Sequence, residues 1–282
     1  MCVTAAFARQ TVTPRIGWAA VLEVIDKGAA TATHATPLLF VHGAFHGAWC
    51  WDDHFLDYFA ERGYHALALN LRGHGGSPTP APINECSVFD YVRDVSTVAD
   101  RLPVAPVVIG HSMGGFVVQK YLAVHAAPAA VLVASAPPTG IAPATVRVAA
   151  RHWRQSMRTR SFSRPLDFFA APGVSRATFY HSATPDEIVS ACTSRLGPES
   201  ARVLYRDLLF RHLAQPKRVT SPVLVLGAEL DGFFTPREVA ATARAYRTEP
   251  VMFPGMGHNM MLEHGWEAVA ERIDQWVGAS LR

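Results

Sequence analysis

The 282 residues are about half apolar and 17% charged, which excludes a disordered chain and supplies a large core without metal or disulfide staples. A net charge of +3 argues against a nucleic-acid partner, and no apolar run reaches the ~18 residues that span a bilayer. The first ten residues lack a basic stretch followed by an apolar one, so no signal peptide and a cytoplasmic location are expected. Cys2, Cys50, Cys86 and Cys192 are scattered without metal-ligand spacing, so free thiols are expected.

In chain order, the apolar run 38–41 predicts a buried strand, and 47–62 an amphipathic helix. A strand at 65–69 and a Gly-dense loop at 71–78 follow. Helical spacing covers 87–102, a strand 104–109, a turn 110–115, a helix 116–125 and a strand 129–134. The alternation predicts an α/β fold: a mostly parallel central sheet with helices on both faces. It stops at Pro137-Pro138 and resumes after Gln215-Pro216 with strands at 223–226 and 250–253 and helices at 236–246 and 266–277. Residues 137–217 carry helical stretches without a buried strand, and hold 12 Lys and Arg against 5 Asp and Glu. They read as a helical lid inserted between two strands of a core formed by 1–136 and 218–282.

Gly110-His111-Ser112-Met113-Gly114 has the form G-x-S-x-G between a strand and a helix. Such a turn strains the serine, lets strand and helix approach at the glycines, and presents the hydroxyl at a helix N-terminus. A capping serine in a plain turn is the bland alternative; the flanking strand and helix favour a nucleophile. A serine hydroxyl needs a base. In the order serine, acid, histidine, Asp231 follows the 223–226 strand, with Glu229 as its rival. His258 follows the last strand, and its rival His264 is expected on the next helix. Backbone N–H groups of Met113 and Ala44 are the expected oxyanion donors. Gly43, Phe45 and His46 lie in the same loop as Ala44 and are candidates to border substrate, although His42 and His46 read first as structural histidines.

In the insertion, Phe162, Phe168, Phe169, Phe179, Tyr180, Leu208, Leu209 and Phe210 supply large apolar groups. Phe168, Phe179 and Leu208 are the candidates for substrate contact, and most of the others are expected to pack. Arg147, Arg151, Arg154 and Arg158 recur at three- and four-residue steps and read as a solvated helix face rather than an anion or membrane-surface site.

The chain resembles the α/β-hydrolase superfamily over nearly its whole length. His42-Gly43-Ala44-Phe45-His46-Gly47-Ala48-Trp49 is similar to the H-G-x-x-H-G-x-W segment of the plant methylesterase and hydroxynitrile-lyase group and its bacterial esterase relatives. Residues 110–115 and 257–263 resemble that group too. The lyases carry Thr at the Gly43 position and Lys at the Asn259 position, so the resemblance implies an esterase. A serine at position 112 points away from the epoxide hydrolases and dehalogenases, which use a carboxylate.

The expected activity is cofactor-free, metal-free hydrolysis of a small to medium, apolar or aromatic carboxylic ester through an acyl-enzyme. A perhydrolase ("haloperoxidase"), an amidase or a carbon–carbon bond hydrolase on the same triad stays open. A hydroxynitrile lyase or a non-enzymatic ligand-binding protein ranks below these. A small-molecule ester is the expected partner, and a homo-oligomer is left open.

Overall fold

A computed structural model describes residues 22–159, 164–211 and 213–282. Phe162, Cys2 and the rest of the first ten residues lie outside them. Cys50, Cys86 and Cys192 are buried free thiols.

Among the described residues seven strands form one sheet: β1 (Val24–Lys27), β2 (Leu38–Val41), β3 (Ala66–Leu69), β4 (Val107–His111), β5 (Ala130–Val133), β6 (Val223–Ala228) and β7 (Pro250–Phe253). Their spatial order is β1-β3-β2-β4-β5-β6-β7. All pairings are parallel except that of β1, which runs antiparallel to β3. Strands β2 to β6 are buried along their whole length, as continuous apolar runs require when both faces are covered. Pro250 begins an edge strand, where its missing N–H costs no ladder bond. β1 was not anticipated. Its sequence Val-Ile-Asp-Lys lacks alternation, and its polar half is held from outside the sheet: His65 bonds Asp26 at 2.8 Å, and Lys27 bridges Asp52 and Asp57.

The helices follow in order. After β2 come α1 (Trp49–Asp52) and α2 (Phe55–Glu61), after β3 α3 (Val88–Ala99), and after β4 α4 (Met113–Leu122). After β5 come α5 (Ala142–Arg151), α6 (Trp153–Thr159), α7 (Pro165–Phe169), α8 (Pro172–Phe179), α9 (Asp186–Thr193) and a π-helical stretch, Val203–Arg211. Finally α10 (Pro236–Ala245) follows β6 and α11 (Trp266–Ser280) follows β7. The single helix expected over 47–62 is two, because His54 leaves helical geometry at φ −146°, ψ −53°.

The strand period of two divides the core. Leu38 and Phe40 pack on one face with Trp51, Phe55, Phe59 and Ile273, while Leu39 and Val41 pack on the other with Val95, Phe116 and Val239. Between β5 and β6 the described residues contain no strand. Prolines in the first turn of α5, α7 and α8 cut this segment into short helices, since proline fits a helix start but not its interior.

Candidate active site

Strand β4 ends at His111, and the chain turns at Ser112 into α4 with φ +53°, ψ −117°. A non-glycine residue in this region is strained and needs surrounding structure to hold it. The Ser112 N–H donates to Val133 O and its carbonyl accepts from Ala136 and Phe116 N–H. A Cβ on Gly114 would lie 2.3 Å from His42 O, and one on Gly110 2.5 Å from Gly114 O, so the turn closes only with glycine at both.

The three side chains picked out in the sequence meet here. The Ser112 hydroxyl donates to His258 Nε2 at 2.9 Å, and His258 Nδ1–H donates to Asp231 Oδ2 at 2.8 Å. Asp231 Oδ1 accepts from Phe233 N (2.7 Å) and Phe234 N (2.9 Å), which fixes the carboxylate. Glu229 is exposed and accepts from Gly255 N–H. His264 is exposed in the turn before α11 rather than on the helix. His258 is buried under the rings of Phe179, Phe233 and Phe234.

Met113 is the first residue of α4, and Ala44 follows Gly43 beyond β2. Among the described residues, neither N–H donates to a backbone carbonyl. Both residues line one cavity with Ser112 and His258. A Cβ on Gly43 would come 2.8 Å from His111 Nδ1 and 3.1 Å from Ser112 Cβ. Gly43 packs behind the serine and is not among the residues that line the cavity. Phe45, held at φ +66°, turns its ring onto Phe169 at 5.1 Å.

Three further histidines surround the site, and all are pushed toward neutrality by burial. His42 Nδ1–H donates to Gly43 O and Nε2 accepts from Leu71 N–H, and its pKa lies well below the ordinary 6.5. His46 Nδ1–H donates to Ala44 O, Nε2 accepts from Asn259 Nδ2, and burial lowers its pKa to about 4. His111 Nε2–H donates to His258 O, and burial again lowers it well below 6.5. His46 therefore has both roles considered for it, bracing the loop and lining the cavity. Asn259 is fully buried.

The cavity measures about 800 Å3 counted out to solvent. Phe45, His46, Phe168, Phe179 and Leu208 line it, and no carboxylate, lysine or arginine does among the described residues. Phe233 and Phe234 line it too, and were missed. They lie two and three residues past Asp231, and that adjacency was the available clue. Ile141, Thr145, Val148 and Tyr205 were also missed, since nothing local marks one helix face as pocket rather than core. Of the remaining apolar set, Phe169 lines the cavity, Tyr180 is buried outside it, and Phe210 is 71% exposed.

The arginine series is not a uniform solvated face. Arg147 forks onto Glu238 at 3.0 and 2.6 Å and donates to Phe233 O at 2.9 Å. Arg151 reaches Gly232 O at 3.3 Å. Both tie α5 to the loop that carries Asp231. Arg154 and Arg158 are exposed.

A turn-borne serine on a parallel sheet, backed by histidine and aspartate past later strands, defines a hydrolase architecture. The chain belongs to the alpha/beta hydrolase family, whose model matches residues 38–272. A non-heme chloroperoxidase of Streptomyces lividans is 37% identical over 107 residues, which is 36% of this chain and 37% of that protein. Methylesterase 18 of Arabidopsis thaliana is 34% identical over 79 residues, 27% of this chain and 29% of its own length. The matches thus span about a third of these relatives. A thermophilic esterase from Thermogutta terrifontis superposes with a TM-score of 0.71 at 20% identity, covering 93% of this chain and 94% of that one. No helix among the described residues is long and apolar enough to cross a membrane.

Proposed function

We propose that the protein is a serine esterase that cleaves neutral, largely apolar carboxylic esters through an acyl-enzyme. The observation that carries this reading is the unbroken chain from Ser112 through His258 to Asp231 at the wall of an uncharged cavity. Because Nδ1–H is committed to Asp231, His258 Nε2 is the acceptor facing the serine. Nε2 takes the hydroxyl proton as Ser112 Oγ attacks the ester carbonyl. The oxyanion is held by the N–H groups of Ala44 and Met113. The imidazolium returns its proton to the departing alcohol, and a water deprotonated by His258 then releases the acid. The helices between β5 and β6 act as a lid whose Phe168, Phe169, Phe179 and Leu208 exclude solvent from the acyl group.

A second reading uses the same acyl-enzyme. The likeness to a chloroperoxidase supports attack by hydrogen peroxide in place of water, giving a peracid that oxidises halide in solution. Labelling with a fluorophosphonate, followed by mass spectrometry, tests the shared step. Covalent modification of Ser112, and loss of labelling and of aryl-ester turnover in Ser112→Ala, are expected. A folded Ser112→Ala variant that keeps full turnover refutes the esterase reading. Peracid formation with and without peroxide then separates the two outcomes.

A further inference from the structure

Helix α5 turns Thr145, Val148 and Ala149 toward the cavity and Val146 outward, where it is 68% exposed. Past His152, α6 presents Trp153 and Met157 one turn apart, 60% and 76% exposed. Arg154 and Arg158 repeat the same four-residue step on the adjoining face, both exposed, with the Arg154 guanidinium 5.3 Å from the Trp153 ring. Unlike Arg147, neither has a carboxylate partner among the described residues. A helix face that is merely solvated interleaves both signs of charge. From residue 137 to 166 there are six arginines and no aspartate or glutamate.

We propose that the outer face of α5 and α6 docks the protein onto an anionic lipid surface. Trp153 and Met157 enter the boundary between headgroups and acyl chains, and Arg154 and Arg158 engage the lipid phosphates. Both halves of the patch are needed to choose this occupant. Duplex nucleic acid would use the arginines but leave Trp153 and Met157 in water, and a single strand would stack a base on Trp153 but still leave Met157 in water. A second copy of the chain would cover the apolar pair but would bring two acid-free arginine faces together. Tryptophan at a polar–apolar boundary beside arginines that reach phosphate fits a membrane surface.

The test is co-sedimentation of the full chain with vesicles of phosphatidylcholine alone, or of phosphatidylcholine and phosphatidylglycerol in equal parts. Binding to the anionic vesicles at least about tenfold above the neutral ones, weakened by salt, is expected. The double variants Trp153→Glu/Met157→Glu and Arg154→Glu/Arg158→Glu should each lose at least about tenfold of that binding. Val124→Glu, at a residue 62% exposed just past α4, should lose none. Circular dichroism and turnover of a short soluble ester should be unchanged in all three variants, because none of these side chains lines the cavity. No sedimentation with either vesicle, equal binding to both, or full binding by both double variants overturns the proposal. So does a concentration-dependent dimer in ultracentrifugation that the double variants dissolve, since the face would then belong to a second copy.

Discussion

Asp231 uses its two carboxylate oxygens for different tasks. Oδ1 is held by the N–H groups of Phe233 and Phe234, and Oδ2 accepts from His258 Nδ1–H. Asp231→Asn can keep the first task with its amide oxygen but turns an amide N–H2 toward Nδ1. The imidazole then favours the tautomer protonated at Nε2, which cannot take the serine proton. We expect kcat for ester hydrolysis to fall by about 10⁴, with little change in Tm. Glu229→Gln should leave kcat nearly intact, since the Glu229 carboxylate accepts from the Gly255 N–H while His258 bonds Asp231; the reverse pattern would reassign the acid. The meeting of Ser112, His258 and Asp231 was legible because each sits just past a strand end in a fixed order. Glu229 and Asp231 are two residues apart, so only the loop's geometry separates them. Gly43 shows a related limit. Its place in the loop was readable, but that it backs onto His111 and Ser112 depends on two strands brought together by the sheet.

At the scale of elements, Arg147 ties α5 to the loop after β6 that carries Asp231. Arg147 contributes two bonds to Glu238 and one to Phe233 O, beside a residue that lines the cavity. Arg147→Ala should loosen α5 and the Phe233 wall together. We expect KM for medium-chain aryl esters to rise several-fold and KM for the acetate to change less. The stability cost should be about 1 kcal/mol, because the pair is partly solvated. A parallel rise across all chain lengths would show that α5 does not shape the acyl pocket. The four-residue arginine step was visible in the sequence, but its division was not. Arg147 meets a partner 91 residues away, while Arg154 meets none among the described residues. Local periodicity gives a face and not what covers it. The same limit hid β1, whose pairing with β3 is supplied by β3 and not by its own pattern. It also hid the break at His54 within one continuous apolar stripe.

Across the whole molecule, the sheet was largely readable, because buried parallel strands are written as short apolar runs between helices. The loop marked His42 and His46 as structural, but the burial of His111 was not legible, since thirteen histidines are spread along the chain and only the fold decides which lose water. Their burial sets the stability against pH. His42, His46 and His111 are held neutral by desolvation, with His46 lowered to about 4 from the ordinary 6.5. Below pH 6.5 the unfolded chain binds protons at these three residues that the folded chain refuses. Stability is therefore lost as pH falls, by about 1.4 kcal/mol per pH unit for each, or about 4 for the three together. His74 acts in the opposite sense. Burial disfavours its charge, but the Glu199 carboxylate 3.1 Å away outweighs this and raises its pKa. Its contribution is complete below 6.5, adds no slope there, and is lost as pH rises through the raised value. Urea unfolding between about pH 7 and about pH 5 should show the steep acid loss, with the protons taken up per molecule unfolded rising from about one to about three. His74→Gln should keep that acid slope, and its deficit against the wild type should be largest at low pH and shrink on the alkaline side. A flat profile between pH 7 and 5 would mean that the three histidines are already charged in the fold, which the bonds received at His42 Nε2 and His46 Nε2 oppose.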